Sequence, residues 1–296
     1  MQKGTFYGII AYVLWGIFPI YWKWLRDVNA LEILCHRIIW AFVFILCLQV
    51  IRKDWRWIKI IIQRPRRIAL FVLTATILSV NWLTFIWAVN HGFIVEASLG
   101  YFINPLLNVL LGFIFLREHL RPGQLVAILL AVIGVGYLTF NYGMFPWIAL
   151  TLACTFSLYG LLRKIGPLGS IEGLSMETAI LLLPALLTIL MMAQGGNVAF
   201  GQQGIIITVL LMLAGVVTAT PLLFFAAAAR RITFTALGLL LYISPSLQFI
   251  LGVFVYHEPF NRARFIGFCF IWSALVFYTI EGYRNRRWMN LKSITQ

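Results

Sequence analysis

Two charged side chains lie well inside long apolar stretches of this 296-residue chain. Arg37 lies about six residues into the apolar run that begins near position 31. An arginine at that depth costs about 2.5–3.5 kcal/mol on membrane-insertion scales, so it should face the interior of a helix bundle or water. We therefore predict that Arg37 binds an anionic or polar group of a substrate. The alternative is an arginine that snorkels back to the lipid headgroups.

The second buried charge, Glu177, lies at a comparable depth in a later apolar run, 140 positions after Arg37. We predict that Glu177 belongs to the substrate-binding site and is a candidate for a group that gains and loses a proton during transport, since burial makes carboxylates titratable. The alternative is a structural pair between Glu177 and a nearby Tyr or Arg.

A stripe of polar side chains follows one face of the predicted fourth helix. Ala97, Tyr101, Asn104 and Asn108 are spaced by four, three and four residues, which places them on one side of a helix. A phenol and two carboxamides could bind a polar solute, or they could form hydrogen bonds between helices. The other candidate substrate-binding residues are single amide or aromatic side chains within apolar runs: Asn81, Trp87, Asn90, Tyr159, Tyr242 and Gln248, with Trp15 as a further wall residue.

Motifs for enzymatic chemistry are missing from the sequence. There is no GxSxG nucleophile elbow, no HExxH zinc helix and no phosphate-binding glycine loop. The four cysteines lie in apolar stretches without CxxC spacing, which favours buried thiols over disulfides or zinc ligands. We therefore predict no enzymatic activity, no cofactor and no metal, and any driving force must come from gradients or exchange.

The elements that position these residues follow from composition, because 62% of the chain is hydrophobic and 11% is charged. A span needs roughly 20 mostly apolar residues, and the long apolar runs supply it repeatedly. The sequence predicts an all-α polytopic membrane protein whose ten transmembrane helices cover 4–24, 31–51, 68–90, 97–116, 122–141, 144–163, 172–193, 205–229, 235–256 and 263–282.

The net charge of +14 is arranged as a membrane protein arranges it. Most Lys and Arg residues fall in the loops on the side of the N-terminus, whereas Lys23, Arg26, Arg262 and Arg264 fall on the opposite side. The positive-inside rule then places both termini in the cytoplasm, and it explains the charge better than nucleic-acid binding does. Tryptophans near predicted span ends are expected to be interfacial anchors: Trp22, Trp24, Trp55, Trp57, Trp147 and Trp288.

A sequence repeat at an offset of 140 residues divides the chain in two. Its identities are Ile103/Ile243, Pro105/Pro245, Leu107/Leu247, Gly112/Gly252 and Glu118/Glu258. Five helices per half is an odd number, so the second copy must enter the membrane in the opposite sense. The sequence thus predicts two inverted five-helix repeats around a central cavity, residues 1–141 and 142–296, and paired prolines that interrupt matching helices are a pointer to a transporter site.

Two longer motifs carry a family resemblance that covers nearly the whole chain. The stretches 81–90 (NWLTFIWAVN) and 98–106 (SLGYFINPL), with His36-Arg37 and the 242–245 segment, resemble the RarD branch of the EamA family in the drug/metabolite transporter superfamily. The resemblance implies ten helices in two inverted halves, a central cavity and a permease of the plasma membrane. Members carry a label that links them to chloramphenicol sensitivity or resistance.

These observations predict a secondary transporter of the bacterial inner membrane that moves a small polar or amphipathic metabolite or drug by alternating access. Its expected partners are a small-molecule substrate and the lipid bilayer, not nucleic acid, and both a monomer and a homodimer fit the sequence. Two alternatives stay open. A membrane-embedded enzyme acting on lipid would need clustered carboxylates or histidines, and a passive channel differs from a carrier in its kinetics rather than in its residues.

Overall fold

The structure is a computed structural model that describes residues 2–294 except 54, 56, 59–60, 62–64, 118–120, 143–144, 230 and 232–239. In these residues the regular elements are all helical. They are α1 (Gln2–Trp24), α2 (Ala30–Arg52), α3 (Pro65–Asn90), α4 (Ile94–Leu116), α5 (Pro122–Tyr142), α6 (Trp147–Ile165), α7 (Ser170–Gln194), α8 (Ile205–Ala229), α9 (Ile243–Ile250, continued as a π-helix over Leu251–Val255) and α10 (Arg262–Ile294).

The helices have the length and the surface of membrane spans. Within the described residues, eight are long and apolar enough to cross a bilayer, and Trp147–Arg163 and Ile243–Val255 are shorter apolar helices. Large apolar side chains such as Phe140 and Met191 remain exposed, which suits a surface in contact with lipid. The predicted all-α polytopic membrane fold is therefore confirmed.

Several predicted helix boundaries differ from the structure, including the starts of the third helix, at Pro65 rather than 68, and of the sixth, at Trp147 rather than 144. The fourth helix begins at Ile94 rather than at residue 97 and runs without a break through Pro105, so the predicted interruption does not occur there. The tenth continues to Ile294 instead of ending at 282, because its polar tail contains no Gly or Pro to stop it. For the ninth, predicted over 235–256, the structure describes a helix only from residue 243, and residues 235–239 lie outside the described part.

The ends of α4 and α9 share an unusual backbone conformation. Arg117 and His257 both adopt left-handed φ angles, of 55° and 51°, which are uncommon for residues other than glycine. They are 140 positions apart, and each directly precedes a glutamate of the repeat, Glu118 and Glu258. Glu118 itself lies outside the described residues. The residue before the glutamate thus has the same left-handed backbone conformation in both copies.

Helices at matching positions of the two halves have matching packing partners. The helix α1 packs on α8 and α9, and its counterpart α6 packs on α3 and α4. The helices α2 and α8 pack together, as do their counterparts α7 and α3, while α2 packs on α7, α4 on α9 and α5 on α10. The inverted repeat and the division at residues 141 and 142 stay predictions, and this packing is compatible with both.

Two of the counterpart pairs run antiparallel. Along α5 and α10, Gly123 lies against Glu281 near one end of the pair, whereas Gly267 lies against Leu138 near the other. Along α2 and α7, Glu32 at the start of α2 binds the chain after α7, and Arg52 at the end of α2 faces Glu172 at the start of α7. This orientation is what an inverted repeat would require of counterpart helices.

Candidate functional site

Arg37 lies in a cage of aromatic side chains rather than at a lipid surface. Its side chain is 4% exposed, and Cζ lies 4.1 Å from the centre of the Trp82 ring, 5.1 Å from that of Trp22 and 6.0 Å from that of Phe18. Tyr21 and Tyr101 are also close enough to interact electrostatically with the guanidinium. We call these six residues the Arg37 cage: Arg37, Phe18, Tyr21, Trp22, Trp82 and Tyr101.

The local sequence explains how α2 brings Arg37 to this depth. Asn29 caps the helix, because its Oδ1 accepts a hydrogen bond from the N–H of Leu31 at 2.8 Å. The next turns are buried on all sides from Glu32 to Ile38. About one turn after Arg37, α8 approaches α2 so closely that a Cβ at Gly215 would overlap the backbone at Trp40 and Ala41. Arg37 is therefore held in a tightly packed part of the structure.

Buried hydrogen-bond donors in the Arg37 cage have no acceptor. The Nε and Nη1 atoms of Arg37 and the Nε1 atom of Trp22 are all buried without a hydrogen-bond partner. Trp22 is 0% exposed, so the expectation that it anchors the chain at the membrane interface is wrong. Its position near the end of the predicted helix suggested an interface, but α1 packs that end against other helices.

Glu177 makes the kind of contacts that the structural alternative predicts. It is 0% exposed, its Oε2 accepts a hydrogen bond from the Tyr159 hydroxyl at 3.0 Å, and its Oε1 lies 3.8 Å from Nε of Arg163. Gly173 leaves room for this arginine, because a Cβ there would overlap the guanidinium. Thr74 of α3 is a further neighbour. Tyr159 and Glu177, two predicted site residues, thus meet in one cluster.

Arg37 and Glu177 lie in different clusters. Both clusters contact α3, the first through Trp82 and the second through Thr74. Eight residues of helix separate those two contacts, which corresponds to about 12 Å along the axis. The two positions are related by the 140-residue offset, and their charges do not form an ion pair with each other among the contacts of the described residues.

Two of the predicted asparagines connect helices. Asn81 Nδ2 donates to the carbonyl oxygen of Leu152 at 3.1 Å and to the hydroxyl of Thr155 at 2.9 Å, and its side chain is buried. Asn104 is also buried, and its Oδ1 accepts a hydrogen bond from the Ser157 hydroxyl at 3.2 Å. Both partners lie on α6. The structural reading of these amides, interhelical hydrogen bonding, describes their contacts better than solute binding does.

The polar stripe of α4 divides between the two environments. Tyr101 is half-buried and lies between Phe85 and Phe156, with ring centres 5.7 and 6.0 Å away, and it also belongs to the Arg37 cage. Asn108, by contrast, is exposed. The stripe predicted from the spacing is therefore a continuous helix face whose members have separate neighbours.

The other predicted residues lie at a distance from Arg37 along the fold. Trp87 stacks on His91 at 4.3 Å and lies 5.4 Å from Trp147 at the start of α6, so it belongs to an aromatic group at one membrane face. Both polar atoms of the nearby Asn90 amide are buried without a hydrogen-bond partner.

Gln248 of α9 and Tyr242, which directly precedes α9, have different neighbours. Gln248 is buried, and its Nε2 donates to the carbonyl oxygen of Trp15 and to the Ser244 hydroxyl, both at 3.2 Å. Tyr242 borders an open groove with Trp272 and Thr279 of α10. The eleven candidate residues therefore form several separate groups, of which the Arg37 cage and the Glu177 cluster carry charge.

Three carboxylates that the sequence did not single out as functional, of which Glu32 and Glu258 are buried and Glu96 is half-buried, bind backbone N–H groups of the other half. Glu258 binds the N–H groups of Ile94 and Val95, each at 2.8 Å, at the start of α4. Glu96 binds the N–H of Ile148 at the start of α6 at 3.1 Å. Glu32 binds those of Ala199 and Phe200, at distances between 2.9 and 3.0 Å, after the end of α7.

These three glutamates lie at the same membrane face, which we call the Glu258 face. At the opposite face, which we call the Glu172 face, Arg52 Nη2 lies 3.7 Å from Glu172 Oε1 and Arg121 Nη2 lies 3.1 Å from Glu281 Oε2. Sequence spacing gives no signal for the first kind of contact, because the partners of the carboxylates are main-chain groups of remote segments. Within the described residues there is no group of three or more His, Cys, Asp or Glu that could hold a metal ion.

Comparison with known proteins identifies the class of protein. The model of the EamA-like transporter family matches residues 2–140. The chain is 43% identical to Protein RarD of Streptomyces exfoliatus over 97% of this chain and 91% of that protein. It is also 43% identical to the uncharacterized transporter YojE of Bacillus subtilis, over 97% of this chain and 96% of that protein. A solved crystal structure shares the fold, with a TM-score of 0.60 at 18% identity over 94% of this chain and 97% of that one.

The bundle of ten helices in the described part of the chain is therefore that of a membrane transporter. The chain belongs to the RarD branch of the EamA family, in the drug/metabolite transporter superfamily, as its helix 3 and helix 4 motifs indicated.

Proposed function

We propose that the protein is a secondary transporter that moves a small polar or amphipathic metabolite or drug across the inner membrane by alternating access. The charge distribution of the sequence supports an orientation with both termini in the cytoplasm. In this orientation the Glu258 face is the outer face and the Glu172 face is the cytoplasmic face.

The observation that carries the proposal concerns α2 and α7, which are joined at each of their two ends by a different kind of contact with a charged side chain. At the start of α2, Glu32 holds Ala199 and Phe200 of the second half. At the end of α2, Arg52 lies 3.7 Å from Glu172 of the second half. The twenty residues between Glu32 and Arg52 span about 30 Å, the thickness of a bilayer core. The two halves are thus tied to each other separately at each face.

Separate ties at two faces suit a protein that opens one face at a time. At the Glu258 face the halves are joined by hydrogen bonds from backbone N–H groups to three carboxylates. Each of the three carboxylates accepts from an N–H group of the half to which it does not belong. At the Glu172 face they are Arg–Glu pairs, of which Arg121 with Glu281 also joins the halves. Rocking of one half against the other would break one set while the other persists, which is the movement that inverted-repeat transporters use.

The substrate site that we propose lies around Arg37. Its guanidinium is buried between α1, α2, α3 and the half-buried Tyr101 of α4, and it has unsatisfied donors. Glu177 with Tyr159 is the second charged group that a solute or a proton could reach as the halves move. The remaining candidates, with their interhelical contacts, are proposed to shape the cavity rather than to bind the solute.

Counterflow in proteoliposomes tests the proposal. A thermal-shift screen of the purified protein against metabolites and amphenicols first identifies a ligand. That ligand is then prepared in labelled form, and vesicles are loaded with the same compound unlabelled. A carrier shows faster labelled uptake into loaded vesicles than into empty ones. A passive channel shows no such stimulation, and that result would refute alternating access. Chemical conversion of the ligand, followed by mass spectrometry, would favour the lipid-enzyme alternative instead.

A further inference from the structure

We propose that the Arg37 cage binds the carboxylate of a small organic monoanion whose body is apolar or aromatic. This inference rests on the proposed carrier function and narrows its substrate class.

The unsatisfied donors of the cage match the acceptors of a carboxylate. Arg37 contributes Nε and Nη1, which lie on different edges of the guanidinium, and Trp22 contributes Nε1. A buried donor without a partner is costly, and more so when it is charged. A carboxylate has two oxygens with about four lone-pair positions, so it can accept two N–H groups along one edge of the guanidinium, Nε with Nη2 or Nη1 with Nη2, and the indole N–H as well.

The charge around Arg37 leaves room for one negative charge. Among the described residues its guanidinium has no carboxylate within ion-pair distance. Glu32, one turn earlier on α2, binds backbone N–H groups at 199 and 200, and Glu177 is taken by Tyr159 and Arg163. An amino acid would therefore bring an ammonium group for which the cage offers no carboxylate. A dianion would bring a second negative charge that remains uncompensated in the membrane.

The aromatic rings define where the rest of the ligand lies. Trp82 covers one face of the guanidinium at 4.1 Å, which leaves the edge of the fork for the carboxylate. The rings of Trp22 and Phe18 lie 5.1 and 6.0 Å from the same Cζ atom. Tyr101, the cage member on α4, is half-buried. Such walls bind an apolar or aromatic body, since aromatic faces pack against each other favourably.

The test uses four ligands that differ only in their polar groups. They are 3-phenylpropionate, its primary amide, 3-phenylpropylamine and phenylalanine, added to the purified full-length protein up to roughly 10 mM, above the usual range of KM values. Thermal stabilisation and calorimetric titration give the affinities. We expect the acid to bind at least about tenfold more tightly than the amide, because a charged hydrogen-bonded pair is lost in the amide.

Variants assign the effect to the cage. Arg37→Gln should abolish the preference for the acid over the amide. Trp22→Phe removes the indole N–H but keeps an aromatic ring, and it should weaken acid binding by about tenfold. Arg37→Lys keeps the charge without the fork and should bind the acid more weakly than the wild type. Arg26→Gln is the matched control, because Arg26 is exposed and pairs only loosely with Asp27. It should leave all four affinities unchanged.

The outcomes separate this inference from the carrier proposal. Equal binding of acid and amide, tighter binding of phenylalanine than of the acid, or no binding of the acid would overturn the monocarboxylate assignment. Counterflow of a cation or an amino acid would in that case leave the carrier function intact. Conversely, Arg37-dependent binding of the acid without trans-stimulated uptake would support the site and refute the carrier. Melting curves without ligand show which variants are folded.

Discussion

The side chain of Glu258, which follows α9, caps the start of α4: its Oε1 accepts a hydrogen bond from the N–H of Ile94 at 2.8 Å. The second oxygen accepts from Val95 at the same distance. The first N–H groups of a helix have no partner within the helix, and the positive end of its dipole attracts an anion. The contact also explains Gly252, where a Cβ would lie 2.7 Å from Val95 Cγ2 and 3.1 Å from its nitrogen.

Replacement of this carboxylate by an amide should therefore destabilise the protein. In Glu258→Gln, one oxygen still accepts a hydrogen bond, while the amide NH2 faces a second N–H group. We expect a loss of about 1–3 kcal/mol, measured as the shift in thermal unfolding in detergent. Asp27→Asn makes the same chemical change at an exposed acid near the end of α1 and should have no effect. Equal melting temperatures of Glu258→Gln and the wild type would contradict the capping role.

The close contact of α2 with α8 gives a second prediction. In Gly215→Ala the new methyl group would overlap the backbone of Trp40 and Ala41, so the two helices must move apart, at a cost of about 1–3 kcal/mol or more. Gly136→Ala is the control, since a Cβ at Gly136 meets no atom within 4 Å. Thermal unfolding should show a marked loss for the first variant only, and comparable losses in both would refute the close approach.

The sequence predicted the helices better than the contacts between them. Apolar runs set the spans, so their number and order agree with the described residues, and the resemblance in helices 3 and 4 gave the family. The same reasoning could not place Trp22, because its packing depends on α1 meeting other helices rather than lipid. It also could not predict the partners of Glu32 or Glu258, since a backbone N–H carries no sequence signal.

The candidate site could be predicted only in part, because the partners of its side chains lie on other helices. A lone arginine in an apolar run signals burial whatever its neighbours are, and Arg37 is indeed buried. An asparagine in such a run signals only that a partner exists. Asn81 and Asn104 find that partner on α6, which no spacing along α3 or α4 reveals.

The Glu177 cluster should behave as a coupled structural pair. Either Glu177→Gln or Arg163→Gln leaves the other charge buried, which typically costs about 3–5 kcal/mol, whereas the double variant removes both charges and should cost less than the sum. Unfolding of the four proteins forms a double-mutant cycle. Tyr159→Phe, which removes one hydrogen bond of 3.0 Å, should cost only about 0.5–1.5 kcal/mol.

The cycle also bears on proton coupling. If transport by a folded Glu177→Gln variant no longer depends on a proton gradient, Glu177 is the coupling group that its burial suggests. Gradient-dependent transport in this variant would exclude it as the sole such group, and additive losses in the cycle would show that Arg163 and Glu177 do not interact.

The buried Arg37 and the half-buried Arg163 should respond in opposite ways to the same substitution. Arg163 lies 3.8 Å from a carboxylate, so Arg163→Met leaves Glu177 without its cation and should destabilise the protein by about 3–5 kcal/mol. Arg37 has no such partner among the described residues, so Arg37→Met removes an uncompensated charge. We expect the ligand-free Arg37→Met protein to be as stable as the wild type or more stable. A large loss would show that the aromatic cage stabilises the folded state through the cation, against a role in ligand binding.

Opening of the Glu258 face can be followed through a native cysteine. Cys35 lies on α2 one turn from Glu32, and it is 3% exposed. With Cys47, Cys154 and Cys269 replaced by serine, Cys35 is the remaining thiol, and its rate of reaction with a polar maleimide reports how often this face opens. Glu32→Gln weakens the hydrogen bonds to Ala199 and Phe200, and a shift of about 1.4 kcal/mol between closed and open states raises the open population about tenfold. The labelling rate should rise by a similar factor, while Asp27→Asn leaves it unchanged. A rate that is the same in Glu32→Gln and the control would mean that Glu32 does not hold the Glu258 face closed. Alternating access would then have to depend on other contacts between the two halves.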